Sequence, residues 1–419
     1  MSATYDVFQQ VFGLSIASNI VGGCSGTQQT LQTKFEQTLP GALAKISPNW
    51  QVVWGPTVWK IDPFNELSGQ GNAWYMAKSE SVEFSDNTTR CVYVIAIAGT
   101  SGIYDWLIED GTVELVVDID KWTHSGPKAF DSAPHSVINP GSLTQGDAYI
   151  SDGFAQTVYR LLTTPSPASA AGNSQTLLQF IQSLKSNTSP GLPSKLAITG
   201  HSLGGALAPC LAYTLLKAKQ LGPFAQGDVV VYPTAGPSPG NLEFSNKFSS
   251  ETCFPPSGPL TGYQCWNRNI VNQLDIVPCA YAMQQIYQPW CLSDVLTKLG
   301  SPPLYVWAAI KLLELAAGNL YVPLTASYFT SKVPYPPKSP ETWLKEADDQ
   351  HVSAYTQEIL NIKRLDGACS VSHETMSSHR PLLGTIIRVK RQLEAGKESL
   401  EATGNHEGVA HLSALLKEA

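Results

Sequence analysis

Charge is what this sequence has little of. Only 15% of its 419 residues are Asp, Glu, Lys or Arg, against the usual quarter. The surface is therefore expected to be largely neutral and partly apolar. Acidic residues outnumber basic ones, 34 to 27, for a net charge of −7. That balance argues against nucleic acid as a partner, because phosphate backbones are held by clustered Lys and Arg. It also gives no attraction to anionic membranes. No uncharged apolar run reaches the roughly 18 residues of a spanning helix, so no transmembrane segment is expected. No basic residue precedes Lys34, and the apolar stretch 8–21 is interrupted by Gln9, Gln10, Ser15, Ser18 and Asn19. A secretory signal needs a positive start and an unbroken apolar stretch. The expectation is a chain that is intracellular or already freed of its signal. H-x-E-x-x-H and CxxC sets are lacking too, so no metal or organic cofactor is expected. His406 and His411 read as surface histidines, since no third ligand has a matching spacing. Eight cysteines leave the compartment open. Cys253 with Cys265, and Cys279 with Cys291, are close enough in sequence to bridge, but pairing cannot be read from sequence. The sequons at Asn87 and Asn187 decide as little.

What is present is apolar material for a sizeable core, 43% of the chain. Short runs rich in β-branched residues at 91–98, 195–199, 229–232 and 269–274 read as buried strands. Helical patterns at 175–184 and 203–217 lie between them. Strands alternating with helices predict a mostly parallel sheet covered on both faces. Sites in such sheets form at the carboxyl ends of the strands. No internal repeat is visible. Residues 163–174, rich in Pro, Ser and Ala, read as a surface linker, and the four prolines of 331–340 as an extended segment. Beyond about Leu365 charge rises and aromatic content falls. The expected organisation is one domain over residues 1–365, with a cap insertion at about 284–335, and a mainly helical extension over 366–419.

The pattern G-x-S-x-G occurs twice, at Gly200-His201-Ser202-Leu203-Gly204 and Gly236-Pro237-Ser238-Pro239-Gly240. A chance match arises in roughly one chain of this size in seven, so context decides. A serine nucleophile of this kind needs a strand, a tight strained turn and then a helix. The residue after it must donate its backbone N–H to an oxyanion. The first copy meets each demand. Leu196-Ala197-Ile198-Thr199 reads as a strand, Gly204-Gly205-Ala206 are small, and Leu207, Leu211 and Leu215 follow at helical spacing. The second copy fails, because Pro239 has no N–H to give; Ser238 reads as a loop serine. The plainer alternative for Ser202 is a serine capping a helix.

The decamer from Thr199 to Ala208 resembles the nucleophile signature of class 3 (fungal-type) lipases. Thr234-Ala235-Gly236-Pro237-Ser238-Pro239-Gly240-Asn241, followed by Phe244, is similar to a second loop of that family, and Asp152-Gly153-Phe154 to its Gly-Phe segment. Pro209, inside the helix after Ser202, departs from the pattern. The resemblance runs from about Val92 to Leu360. It implies an α/β-hydrolase fold, with a mostly parallel central sheet and helices on both faces. In that fold the chain order is Ser, then Asp or Glu, then His. Asp275 follows the strand 269–274, at the carboxyl end of the sheet, and Asp275-Ile276-Val277-Pro278 resembles the family's acid segment. Asp228 instead precedes its strand. Of His351, His373 and His379, His351 resembles the family's histidine, which is followed by an aromatic a turn later. His201 lies in the tight turn and reads as a packing residue. One oxyanion donor is expected to be the N–H of Leu203. The other is carried by resemblance onto Thr100 in Gly99-Thr100-Ser101-Gly102, where the family commonly has Arg before the glycine and this chain has Ala98.

The resemblance implies hydrolysis of acyl esters through an acyl-enzyme on Ser202. A phospholipase, a feruloyl-type esterase or an acyltransferase would use the same three residues. A lipase-like binding protein would keep the fold without the chemistry. The expected partner is a small-molecule or lipid ester, with oligomeric state open. After Thr100, Ile103, Trp106 and Leu107 fall on one helical face, with Asp105, Glu109 and Asp110 largely on the other. This is where the family carries its lid, and residues 103–111 are expected to form one here. A second candidate is 302–315, which reads equally as a core helix. If the lid exists, hydrolysis of a sparingly soluble ester rises sharply past its solubility limit. Trp106→Ala then weakens that rise more than it affects a soluble short-chain ester. A smooth saturation curve through the limit, unchanged in the variant, would indicate an ordinary open site.

Overall fold

The computed structural model describes residues 5–99, 113, 115–138, 143–185, 192–283, 285, 289–335, 339–364 and 367–369. Ten strands occur among them: β1 (Gln51–Trp59), β2 (Asn72–Glu83), β3 (Thr89–Ile97), β4 (Leu115–Asp118), β5 (Val137–Ile138), β6 (Tyr149–Ser151), β7 (Lys195–His201), β8 (Val229–Thr234), β9 (Asn269–Asn272) and β10 (Ala326–Phe329). The main sheet has the order β1-β2-β3-β7-β8-β9-β10. β1, β2 and β3 pair antiparallel, and every pairing from β3 to β10 is parallel. β4, β5 and β6 make a small antiparallel sheet.

Residue alternation in β2 and β3 shows how both faces are covered. Trp74, Met76, Ile95 and Ile97 enter one apolar cluster; Ala73, Tyr75, Ala77, Val92, Val94 and Ala96 enter another. Successive side chains of a strand leave opposite faces, so two cores flank one sheet. Helices Asp152–Thr163, Leu177–Ser183 and Leu203–Lys217 feed the first cluster. Helices α1 (Val7–Ala17) and α2 (Gln28–Ile46), with Ala354–Leu360, feed the second. The fold is that of an α/β-hydrolase. β8 and β7 run two residues beyond their predicted ends, β9 stops two short, and helix Leu203–Lys217 has the predicted bounds.

The interrupted apolar stretch near the N-terminus is α1. Asp6 and Gln9 cap it reciprocally, which satisfies two otherwise free backbone donors. Its residues are buried almost all round, because the sheet lies beneath it and α2 and Ala354–Leu360 lie beside it. The polar interruptions are used: Ser18 Oγ donates to Ser15 O at 2.6 Å, and Gln9 Nε2 to Ile359 O at 2.7 Å. The linker-like segment 163–174 is pinned to the sheet edge. Gly55 and Ala171 exchange backbone hydrogen bonds at 2.9 and 3.1 Å, and Trp54 Nε1 donates to Gln175 O at 2.9 Å. Helix Leu304–Ala317, which overlaps the second lid candidate 302–315, turns Val306, Ile310 and Leu313 into the first core, which favours the core-helix alternative.

The cysteine pairs suggested by proximity do not form. Cys253, Cys265, Cys279 and Cys291 are all free thiols. Cys253 lies in one core and Cys265 in the other, with the sheet between them. Cys279 Sγ accepts instead from Lys298 Nζ at 3.4 Å, and Cys291 Sγ pairs with Ser293 Oγ at 3.1 Å. The disulfide joins Cys24 to Cys369, 345 residues apart. Ala368 N–H donates to Ile20 O at 2.7 Å beside it. The expected extension from residue 370 onward, Thr100, the lid residues Ile103, Trp106 and Leu107, and His373, His379, His406 and His411 lie outside the described residues.

Closing so long a loop restricts the unfolded chain. Cys369→Ala is expected to lower stability by about 2–4 kcal/mol, measured by urea unfolding without reductant. Reductant should erase the difference between variant and parent. Equal midpoints under oxidising conditions would mean that the bridge carries none of the stability.

Candidate active site

β7 ends at His201, and the chain turns at once into helix Leu203–Lys217. The turn residue, Ser202, has φ 62° and ψ −128°. A non-glycine residue held there carries on the order of 1–3 kcal/mol of strain. Surrounding backbone imposes it: Ser202 N–H donates to Thr234 O at 3.0 Å, and Gly205 N–H to Ser202 O at 2.8 Å. The glycines explain how the helix fits. A Cβ on Gly200 would lie 2.1 Å from Gly204 O, one on Gly204 2.3 Å from Ile97 O, and one on Gly205 2.4 Å from Thr234 O. Only hydrogen is tolerated at such contacts. The end of β3 presses in from the other side, where a Cβ on Gly99 would meet Ser202 Cβ at 2.9 Å. Leu203 opens the helix, so its N–H has no intrahelical acceptor. Ser202 is buried only just below the surface, at 8% exposure.

Asp275, fully buried, sits just beyond β9, where its N–H donates to Asn272 O at 3.0 Å. A buried carboxylate needs donors, and this one has three. His351 Nδ1 lies 2.9 Å from its Oδ2, Tyr355 OH donates to the same oxygen at 2.8 Å, and Val277 N–H donates to Oδ1 at 3.0 Å. The carboxylate can only accept, so His351 carries its proton on Nδ1 and leaves Nε2 free to take one. Tyr355 OH in turn accepts the N–H of Asn272 at 2.9 Å, tying the acid to the strand end. His351 rides on a π-turn, Asp349–Ser353, between helices Pro340–Asp348 and Ala354–Leu360. Such widened turns recur at functional sites. Gln350 fixes it, accepting from Asn272 Nδ2 through O at 2.8 Å and Oε1 at 2.9 Å.

His201 packs against His351, ring centroids 4.8 Å apart, with Tyr355 at 5.0 Å and Phe12 at 6.2 Å. Burial and then the neighbouring His351 push its pKa well below the usual histidine value, so the ring is neutral. Its Nδ1 is paired with Thr234 Oγ1 at 2.9 Å. Asp228 lies at the opposite sheet edge, with Arg90 at 3.7 Å and Lys195 at 3.5 Å. Ser238 is a buried loop residue whose N–H donates to Ala280 O at 3.3 Å.

Three contributors were not read from the sequence. In sequence Tyr355 is only an aromatic following His351, and its hydroxyl bond to Asp275 has no local signal. Gln350 is an ordinary helix residue by pattern. Asn19, just past α1, accepts Gly99 N–H on Oδ1 at 2.9 Å and so holds the chain next to Thr100.

Residues 94–285 match the family model described as Lipase (class 3). Comparison with curated proteins finds no match. Among solved structures, M37 lipase is 24% identical, the alignment covering 89% of this chain and 99% of that one, with a TM-score of 0.61. The lipase from Rhizopus microsporus var. chinensis is 14% identical over 65% of this chain and 67% of that one, TM-score 0.37. A nonglycosylated Yarrowia lipolytica lipase is 18% identical over 65% and 72%, TM-score 0.39. At 24% identity the likeness to M37 lipase is one of fold.

Tyr355→Phe deletes a buried hydroxyl that both donates and accepts. It is expected to lower stability by about 1–3 kcal/mol, read from urea midpoints. A stability equal to the parent's would remove Tyr355 from the support of Asp275.

Proposed function

The chain carries the class 3 lipase signature over residues 94–285 on an α/β-hydrolase fold, and on that premise we propose that it is a serine carboxyl-ester hydrolase of lipase type, acting on acyl esters and on acylglycerols first among them. The observation that carries this reading is the Asp275–His351 pair, 2.9 Å apart, at the strand ends where Ser202 is held with φ 62°.

In the proposed reaction His351 Nε2 removes the proton of Ser202 Oγ as that oxygen attacks the ester carbonyl. The negative charge gathers on the former carbonyl oxygen. Leu203 N–H and the N–H and O–H of Thr100 are assigned as its donors, aimed where charge develops. Collapse expels the alcohol, which takes its proton from His351. Water, deprotonated by His351, then attacks the acyl-enzyme; the bond between Ser202 Oγ and the acyl carbon breaks, the acid leaves, and His351 returns the proton to Ser202 Oγ. Asp275 favours the imidazolium form of His351 and fixes its tautomer, and the Tyr355 and Val277 donors keep that carboxylate in place. No step calls on a cofactor. Ile103, Trp106 and Leu107 are proposed as the lid over this site. Residues 1–365 are proposed as one domain, with 284–335 as an insertion between acid and base and 366–419 as an extension.

Ser202→Ala is expected to cut turnover of p-nitrophenyl esters on the order of a million-fold and His351→Ala comparably, with Asp275→Asn costing roughly ten-thousand-fold. Ser238→Ala should change little. Fluorophosphonate should label the parent and leave Ser202→Ala unlabelled. Labelling that persists in Ser202→Ala would move the nucleophile; a parent that takes no label would make the protein a binding module.

A further inference from the structure

Among the described residues, the most exposed large apolar side chains gather on the loop between β1 and β2. Ile61 is 88% exposed, Phe64 84% and Leu67 92%, whereas the next, Leu260, is 67%. Single exposed apolar residues are ordinary, but a cluster on a built surface marks an interaction site.

This loop is built from within. Lys60 is only 3% exposed, and its ammonium donates to the carbonyls of Gly26 at 2.5 Å, Asn65 at 2.6 Å and Ser68 at 2.7 Å. Burial lowers the pKa of that amine from its ordinary value, and the three carbonyls accept its N–H hydrogen bonds. Phe64 N–H donates to Asp62 Oδ1 at 3.1 Å, and Leu67 N–H to Asn65 Oδ1 at 2.9 Å. The loop is also fastened to the start of α2. Gln28 N–H donates to Pro63 O at 2.8 Å, and Lys60 N–H to Gln28 Oε1 at 2.9 Å. The Lys60 ammonium and several backbone groups of the loop are thus bonded inward, while its three large apolar side chains stand in solvent alongside Asp62, Asn65 and Glu66. That arrangement keeps apolar surface in water unless something covers it.

Strand register places the loop. Trp59 pairs with Asn72, Trp74 with Ile97, and Ile97 with Gly200. The ends that carry the loop therefore share a sheet edge with Ser202. Three strand spacings separate β1 from β7, roughly 15 Å. A flat surface touched by the loop would lie across the same edge as the nucleophile. Its charge selects the kind of surface. Lys60, its single basic residue, is buried, and Asp62 and Glu66 lie between the apolar side chains. Anionic headgroups attract basic residues, and this loop offers them none.

We propose that residues 61–67 form a docking element that seats Ile61, Phe64 and Leu67 in an uncharged acylglycerol–water interface and so holds the Ser202 edge against the ester phase. The choice of ester phase rests on the lipase-type reading; the docking itself does not require turnover. It is separate from the lid proposed at residues 103–111.

The test is flotation of the full chain with triolein droplets. Ser202→Ala serves as background, so that no lipid is consumed, with and without the triple change Ile61→Ser, Phe64→Ser and Leu67→Ser. Full burial of even one such side chain corresponds to roughly tenfold or more in affinity, so the triple variant is expected to lose at least about tenfold in droplet partition. With Ser202 intact, the triple variant should keep the parent's thermal midpoint and its turnover of p-nitrophenyl acetate. A loss in partition below about threefold, less than one buried side chain supplies, overturns the proposal. Tighter binding to phosphatidylcholine or phosphatidylglycerol vesicles than to droplets also overturns it, as does a loop that governs self-association by sedimentation while droplet binding is unchanged. Loop-dependent droplet binding in a chain with no Ser202-dependent hydrolysis would sink the catalytic reading and leave the docking element standing.

Discussion

Much of the site depends on backbone meeting backbone where side chains would ordinarily intervene. Gly200, Gly204 and Gly205 let helix Leu203–Lys217 press onto the ends of β3, β7 and β8 at distances that no Cβ could share. Pressed there, the chain can pass from strand to helix only through a residue of positive φ, and Ser202 is that residue. The same contact aligns the helix start with the end of β3, bringing Gly99 against the serine. Strain at one residue is small beside the apolar area that the helix buries, since its inner residues are fully enclosed.

The second organising element is a buried anion. Asp275 lies in an apolar interior where an unpaired carboxylate would cost several kcal/mol or simply protonate. Its three donors come from a strand-end turn, a π-turn and a helix. Their convergence joins the end of β9 to the segment 349–360. α1 supports the arrangement from beneath. Phe12 packs on His201, Asn19 holds Gly99, and Gln9 bonds to the last turn of the helix that carries Tyr355. The Cys24–Cys369 bridge closes the same region. The N-terminal segment is thus part of the site's scaffold, although no residue of it is assigned to the chemistry.

The composition connects to the surface in the same physical terms. A chain with few charges has little to hold an anionic partner and little to repel an apolar one. The β1–β2 loop concentrates that property at the edge of the sheet where Ser202 lies, while a buried ammonium supplies the internal bonds that the loop's outward side chains do not make.

By itself, the sequence determined the alternating α/β character, the strand–turn–helix around Ser202 with its helix bounds, Ser238 as a loop residue, and Asp275 as a carboxylate just past a strand end. Each of these is written in neighbouring residues: β-branched runs, small residues at close spacing, a proline without an N–H. His351 is favoured by resemblance and by the helical pattern that follows it, whereas His373 lies in a Ser-rich segment without periodicity. Tertiary structure alone decided the pairings between residues distant in the chain. Proximity in sequence suggested Cys253 with Cys265, but the sheet divides them, and the bond forms between Cys24 and Cys369. The stretch 8–21 reads as too polar for a signal, yet residues 8–17 lie in the buried helix α1, with Gln9, Ser18 and Asn19 bonded to backbone groups. Tyr355, Gln350 and Asn19 look ordinary in sequence. Their roles consist of hydrogen bonds across 80, 78 and 80 residues of chain, and such bonds exist only once the sheet has brought their elements together.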